Sequence, residues 1–199
     1  MMICVSGADG SGKSTLVAGL ARALPTATVV TIWDMMADPR ARPLFASKDQ
    51  LQVYLGCLQP ESRALFLMSC LKAAVDRAAP GLLLVDSYWY KYLANEIALG
   101  GERARLVALA ALFPRPDLTL HVELAPEVAV ERKGGVYSPY ECGLRSPTPA
   151  HFVEFQLITA PIVKTLIAGG APRVTTLDGT RPPGALLAQA LDAVRAVMP

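Results

Sequence analysis

The chain predicts an α/β fold, a five-stranded parallel sheet with helices on both faces, and three observations carry that prediction. Five short segments, 2–6, 27–32, 82–86, 118–124 and 173–177, are apolar and rich in leucine or β-branched residues, as strands covered on both faces must be. Helical stretches separate them, and this βαβα alternation makes the sheet parallel. Between the first strand and the first helix stands Gly7-Ala8-Asp9-Gly10-Ser11-Gly12-Lys13-Ser14-Thr15. It satisfies G-x-x-x-x-G-K-[ST] at every fixed position. The fold class is therefore the three-layer P-loop NTPase fold: one domain over 1–199, with a lid loop at about 133–149.

The helices follow in order. Residues 16–24 form the first, stopped by Pro25. Gln59-Pro60-Glu61 starts a second, with proline in its first turn, and Pro80-Gly81 ends it after about Ala79. Residues 91–99 and 102–113 read as helix, broken at Gly100-Gly101. A short helix covers 126–131, a long one 149–168, and the last 183–197. The segment 133–149 breaks this rhythm with Gly134-Gly135, Pro139, Gly143, Pro147 and Pro149. It reads as a mobile loop that closes over a bound nucleotide, because Arg132, Lys133 and Arg145 sit on and beside it.

Composition narrows the function classes. The hydrophobic fraction of 52 % and mean hydropathy of +0.35 reflect alanine and leucine in helices. No apolar run approaches the roughly 18 residues a membrane span needs. The loop at Gly7 leaves no room for a cleavable leader, so the cytoplasm is the expected compartment. The net charge of +2 comes without a Lys/Arg cluster, so no nucleic-acid partner is expected. Four cysteines show no CxxC or metal-ligand spacing. His121 and His151 are isolated and read as structural or surface residues.

The motif carries a mechanism. Glycines let successive N–H groups turn into one hollow, and the helix N-terminus adds its positive end. Gly7, Gly10, Ser11, Gly12, Lys13, Ser14 and Thr15 are the expected contacts of ATP, together with Arg132 beside the lid. Lys13 reaches the β- and γ-phosphates, and the Ser14 hydroxyl ligates Mg²⁺. The apolar run 82–85 ends in Asp86, where an acid beside Mg²⁺ is wanted at the carboxyl edge of such a sheet. Tyr88, Trp89, Tyr90 and Tyr92 follow at once, in a chain only 7 % aromatic. They stack on a base or pack the core; on a helix not all can face one way.

From these residues the chain resembles the thymidylate kinase family of nucleoside monophosphate kinases. The loop with its Asp9 is that family's form. Asp86-x-Tyr88 followed by Ala94, the pair Leu65-Phe66, the run Arg115–Leu120, Pro126–Ala129 with Glu131-Arg132, and Leu177-Asp178-Gly179 all resemble family segments. The resemblance implies that Asp9 touches the acceptor sugar and Phe66 stacks on its base. It implies that Asp86 helps to hold the Mg²⁺ hydration shell. Trp33 and Tyr88 are placed on the acceptor side, and a lid residue such as Arg145 supplies charge on the transferring phosphoryl. It also suggests a homodimer.

The chain departs from the family at the acceptor. Ser87 replaces the arginine of the Asp-Arg-Tyr segment, which grips the acceptor phosphate. Cys70 stands for an arginine that hydrogen-bonds thymine, Asn95-Glu96 replaces Tyr-Gln, and the Glu-Pro-Gly turn near Trp33-Asp34 is absent. Serine cannot replace a bidentate guanidinium. Either Lys91 or Arg63 compensates, or the acceptor is not ordinary thymidylate. The leading expectation is phosphoryl transfer from ATP to thymidylate or a related pyrimidine nucleotide. The alternatives are a kinase for a nucleoside, modified nucleotide or other small hydroxyl compound, and a nucleotide-binding switch without turnover. No N/T-K-x-D motif favours a GTPase.

Overall fold

A computed structural model describes residues 1–34 and 47–198. Five parallel strands, β1 (Met2–Gly7), β2 (Thr28–Thr31), β3 (Leu83–Asp86), β4 (Leu118–Glu123) and β5 (Val174–Asp178), form one sheet in the order β2-β3-β1-β4-β5. Each lies within a residue or two of its predicted segment. The described helices are α1 (Lys13–Ala23), α2 (Lys48–Gly56), α3 (Pro60–Arg77), α4 (Trp89–Ala98), α5 (Arg103–Ala108), α6 (Pro126–Lys133), α7 (Pro149–Gly170) and α8 (Pro183–Arg195).

Strand alternation divides the core in two. Ile3, Val5, Leu84, Leu120 and Val122 face α1 and α8 and meet Leu16, Leu20 and Leu186. Cys4, Val30 and Val85 face the other way, toward α3, α4 and α7, among Leu67, Leu71, Leu93 and Ile167. All five strands run the same way, so their carboxyl ends gather Gly7, Thr31, Asp86, Glu123 and Asp178 along one edge. In such a sheet, ligands bind outside that edge, where the strand order reverses.

Four local readings change. The predicted helix 102–113 is α5 followed by a 3-10 turn over Leu109–Leu112, capped at Glu102, whose carboxylate accepts from Ala104 N and Arg105 N. Helix α2 had no prediction; it is short and mostly polar, and buries Leu51 and Leu55 alone among its large apolar side chains. The segment 133–149, read as a mobile loop, carries local structure of its own. It holds a 3-10 turn over Pro139–Cys142, closed by a capping box between Ser138 and Glu141, and Tyr137 packs on Phe152 of α7. Finally, α7 is by length and composition apolar enough to cross a membrane, which the run-length reading missed. It packs Phe152, Phe155, Val163 and Ile167 into the protein.

The aromatic cluster divides between core and cleft. Tyr88, Trp89 and Tyr90 are buried among Phe113 and the end of α7, and the Tyr88 hydroxyl donates to Pro114 O at 2.8 Å. Tyr92 turns the other way, into the cleft.

Candidate active site

The phosphate loop leaves β1 through Gly7 (φ 150°), where a Cβ would meet the Val122 carbonyl oxygen at 2.6 Å. Only glycine fits there. Gly12, at φ 93°, is the N-cap of α1 and offers no capping side chain. The first-turn N–H groups of α1 therefore stay available to an anion. The Lys13 ammonium lies back across the loop and donates to Ala8 O at 2.6 Å.

Two lysines and two carboxylates meet beside this loop. Lys91, on α4, pairs with Asp9. Burial by itself would raise the Asp9 pKa, but the Lys91 ammonium and then Lys13 hold the carboxyl below the usual carboxylate range. Burial also opposes the charge on Lys91; Asp9 overcomes it, and the ammonium is held more firmly than usual. Lys13 has no such dedicated partner. Burial, then the Lys91 charge, pull it down to about 8, against partial support from Asp9 and Asp86. Asp86 ends β3 opposite Val5. Ser87 then turns into the left-handed region (φ 63°), and its N–H donates to Val5 O at 3.0 Å.

A cleft of about 910 Å³ runs past these groups. One arm lies over α1 and the β5–α8 loop, where Arg22, Arg132, Arg181 and Leu187 line it. The other is walled by Trp33, Gln52, Leu55, Leu67, Ser87 and Tyr92. Ser138, Tyr140 and Glu141 of the 133–149 segment also line it. Lys133 lines it too, with its Cγ 3.1 Å from where a Cβ on Gly10 would stand and its ammonium 2.9 Å from Glu141 Oε1.

Most predicted residues fall on this cleft: Asp9, Gly10, Ser11, Gly12, Lys13, Ser14, Thr15, Trp33, Asp86, Lys91 and Arg132. Gly7 lies behind the loop, on a smaller cavity. Four do not reach it. Tyr88 is core, as above. Phe66 stands edge-on to Tyr54, and Leu67 takes the wall instead. Arg63 is fully buried: its Nε donates to both carboxylate oxygens of Glu96 at 2.9 Å, and Nη1 donates to Leu55 O and Leu58 O at 2.7 Å. Arg145 turns outward and donates to Glu154 Oε2 at 2.8 Å. A competing carboxylate draws Arg63 and Arg145 away from the cleft.

No family model matches the chain. The probable thymidylate kinase of Archaeoglobus fulgidus is 31 % identical over 152 residues, 71 % of this chain and 74 % of that protein. The chain belongs to the thymidylate kinase family. The probable thymidylate kinase of Metallosphaera sedula is 30 % identical over 132 residues, 66 % of this chain and 64 % of that one. Two solved structures share the fold. One is thymidylate kinase of Candida albicans, with a TM-score of 0.67, 19 % identity and coverage of 98 % and 91 %. The other is deoxyadenosine kinase of M. mycoides, with a TM-score of 0.68, 11 % identity and full coverage of both chains. As a member of the thymidylate kinase family, the chain is an ATP-dependent nucleotide kinase.

Set on this thymidylate kinase fold, three groups that sequence reasoning left out reach the site: Lys133, Tyr140 and Gln156. Lys133 was visible as a lid charge, but nothing local aims it over Gly10. Gln156 is buried and accepts from Asp9 N at 3.2 Å. A lone amide between Phe155 and Leu157 was its one signal. Tyr140 donates to Glu96 Oε1 at 2.8 Å, which ties the lid to the Arg63–Glu96 pair.

Proposed function

We propose that the protein transfers the γ-phosphoryl group of ATP to a nucleoside 5′-monophosphate, with thymidylate or a related pyrimidine nucleotide as acceptor. The observation that carries this reading is the Lys91 ammonium. It stands beside the phosphate loop, paired with Asp9, on the same cleft as Trp33, Leu55, Leu67, Ser87 and Tyr92. An arm walled by Trp33, Tyr92, Leu55 and Leu67 suits a flat base, and Lys91 suits the phosphate attached to it.

The donor arm suits ATP. First-turn N–H groups of α1 and Lys13 meet the β- and γ-phosphates. The Ser14 hydroxyl and Asp86 carboxylate, both on the cleft, form a hard-oxygen set. Among the described residues, no cluster of three His, Cys, Asp or Glu side chains could hold a metal alone. Mg²⁺ fits that pattern, since it is bound by one or two protein oxygens plus phosphates. When bound, it neutralises charge on the transferring phosphoryl. Lys133, rather than Arg145, is the cation of this segment that lines the cleft, its stem against Gly10 and its ammonium held by Glu141. The acceptor phosphate is already ionised, so no general base is required; positioning and charge carry the reaction.

Ser87 supports a second reading. It offers no charge where a phosphate would lie, and the adjacent Asp86 carboxylate lines the same cleft, where it stands to orient a hydroxyl acceptor. That reading makes the acceptor a nucleoside. Measuring kcat/KM for thymidylate and thymidine side by side, with Mg-ATP, decides between them. Use of thymidylate alone supports the monophosphate reading; use of thymidine alone sinks it.

A further inference from the structure

Gln156 is the eighth residue of α7 and lies on its buried side, among Phe152, Phe155 and Thr159. Its carboxamide spans two parts of the site. Oε1 accepts from the backbone N–H of Asp9 at 3.2 Å, and Nε2 donates to the backbone carbonyl of Glu141 at 3.2 Å. The residue is 3 % exposed, so neither group is left to bulk water.

Both ends of this bridge are committed elsewhere. The Asp9 carboxylate holds Lys91. The Glu141 carboxylate accepts from Lys133 Nζ through one oxygen and from Ser138 N through the other, at 2.8 Å. Immediately before Gln156, Phe155 packs so closely on Gly143 that a Cβ there would stand 2.9 Å from its ring. The lid turn is thus clamped to α7 by packing and to the phosphate loop by one amide side chain.

We propose that Gln156 is a positioning residue for phosphoryl transfer: it holds the phosphate loop and the lid turn in one frame, so that Lys133 and the Asp9–Lys91 pair face the same reacting centre. The proposal rests on the kinase reading above for its effect on turnover. The bridge itself does not depend on which acceptor is used. Positioning of this kind is costly to lose, because small displacements of reacting groups lower the rate without weakening binding.

Gln156→Leu removes both hydrogen bonds at similar volume. It is expected to lower kcat for thymidylate about 10-fold, with KM for ATP and thymidylate each moving less than about 3-fold. Amide exchange, read residue by residue by NMR without substrate, should quicken at Asp9 and at 141–145 together, while the rest of α7 keeps its protection. Gln156→Glu keeps an acceptor for Asp9 N–H and removes the donor to Glu141, so exchange should quicken in the lid turn and not at Asp9. Lys133→Ala should leave exchange at Asp9 unchanged. Unaltered kcat in a folded Gln156→Leu protein overturns the proposal. So does faster exchange along all of α7, which is general loosening, or a rise at Asp9 in Lys133→Ala. If the wild type phosphorylates neither thymidylate nor thymidine, the acceptor reading fails, and the exchange experiment still decides the bridge.

Discussion

Lys91 and Asp9 are joined as an ion pair across 82 residues of sequence, one on α4 and one in the phosphate loop. The pair sits between the two places where phosphate groups are expected. An anion arriving on the acceptor side meets an ammonium already held in place, so little side-chain entropy is lost on binding.

Replacing Lys91 by methionine should therefore raise the thymidylate KM by roughly 10- to 150-fold, the equivalent of one charge-assisted hydrogen bond of about 1.5–3 kcal/mol. The KM for ATP should change little. Steady-state kinetics with each substrate varied in turn checks this. An unchanged thymidylate KM would assign the acceptor phosphate to another residue.

Lys13 predicts a proton signature. Its pKa is drawn down from the ordinary 10.5 to about 8 by burial and the Lys91 charge. The phosphates of ATP favour the charged form and raise it again on binding. At pH 7 Lys13 is already protonated and takes up nothing; above about pH 8 it is neutral in the free protein, and ATP binding draws a proton in. ATP affinity should thus weaken as pH rises through about 8. Calorimetry at pH 8.5 in two buffers of different ionisation enthalpy should show uptake of a large fraction of one proton, abolished in Lys13→Ala.

The two lid cations should separate cleanly. Lys133→Ala is expected to lower kcat by roughly 10²- to 10³-fold, as loss of a preorganised charge at a transferring group does. Arg145 instead pairs at the surface with Glu154. Exposed pairs are worth about 0–1 kcal/mol, so Arg145→Ala should stay within a few-fold of wild type. A strong kcat loss in Arg145→Ala alone would reverse this assignment.

Arg63 should prove structural. Its guanidinium neutralises buried Glu96, whose own pKa is raised by burial against the pull of Arg63 and Tyr140. Arg63→Met strands that carboxylate, which costs about 3–5 kcal/mol and lowers Tm by roughly 6–20 °C. Below the melting transition the thymidylate KM should hold. A rise in KM without a fall in Tm would restore Arg63 to the acceptor site.

The strand segments and the phosphate loop were legible because their signals are local. A buried parallel strand needs only a short apolar run, and Gly7, Gly12 and Lys13 act within a single turn of backbone. For the same reason the strands lie within a residue or two of their predicted segments. Helix α2 escaped because two buried leucines in nine residues leave too faint a period.

The sequence by itself determined the sheet, the loop that meets ATP, the carboxylate at the end of β3, and the departures at Ser87, Cys70 and Asn95-Glu96. Only the tertiary structure decided which charges serve the cleft. Lys91 and Arg63 were equal candidates in one dimension. In three, Glu96 and the carbonyls of Leu55 and Leu58 surround Arg63, while Lys91 is left facing the loop. Arg145 and Lys133 stood alike beside the 133–149 segment; Glu154 draws one outward, and Glu141 holds the other on the cleft. The physical reason is common to these cases. A strand or a phosphate loop is encoded by neighbours in sequence. A long side chain's direction is set by whichever opposite charge or carbonyl the packed helices bring within hydrogen-bond reach, and those partners come from distant parts of the chain.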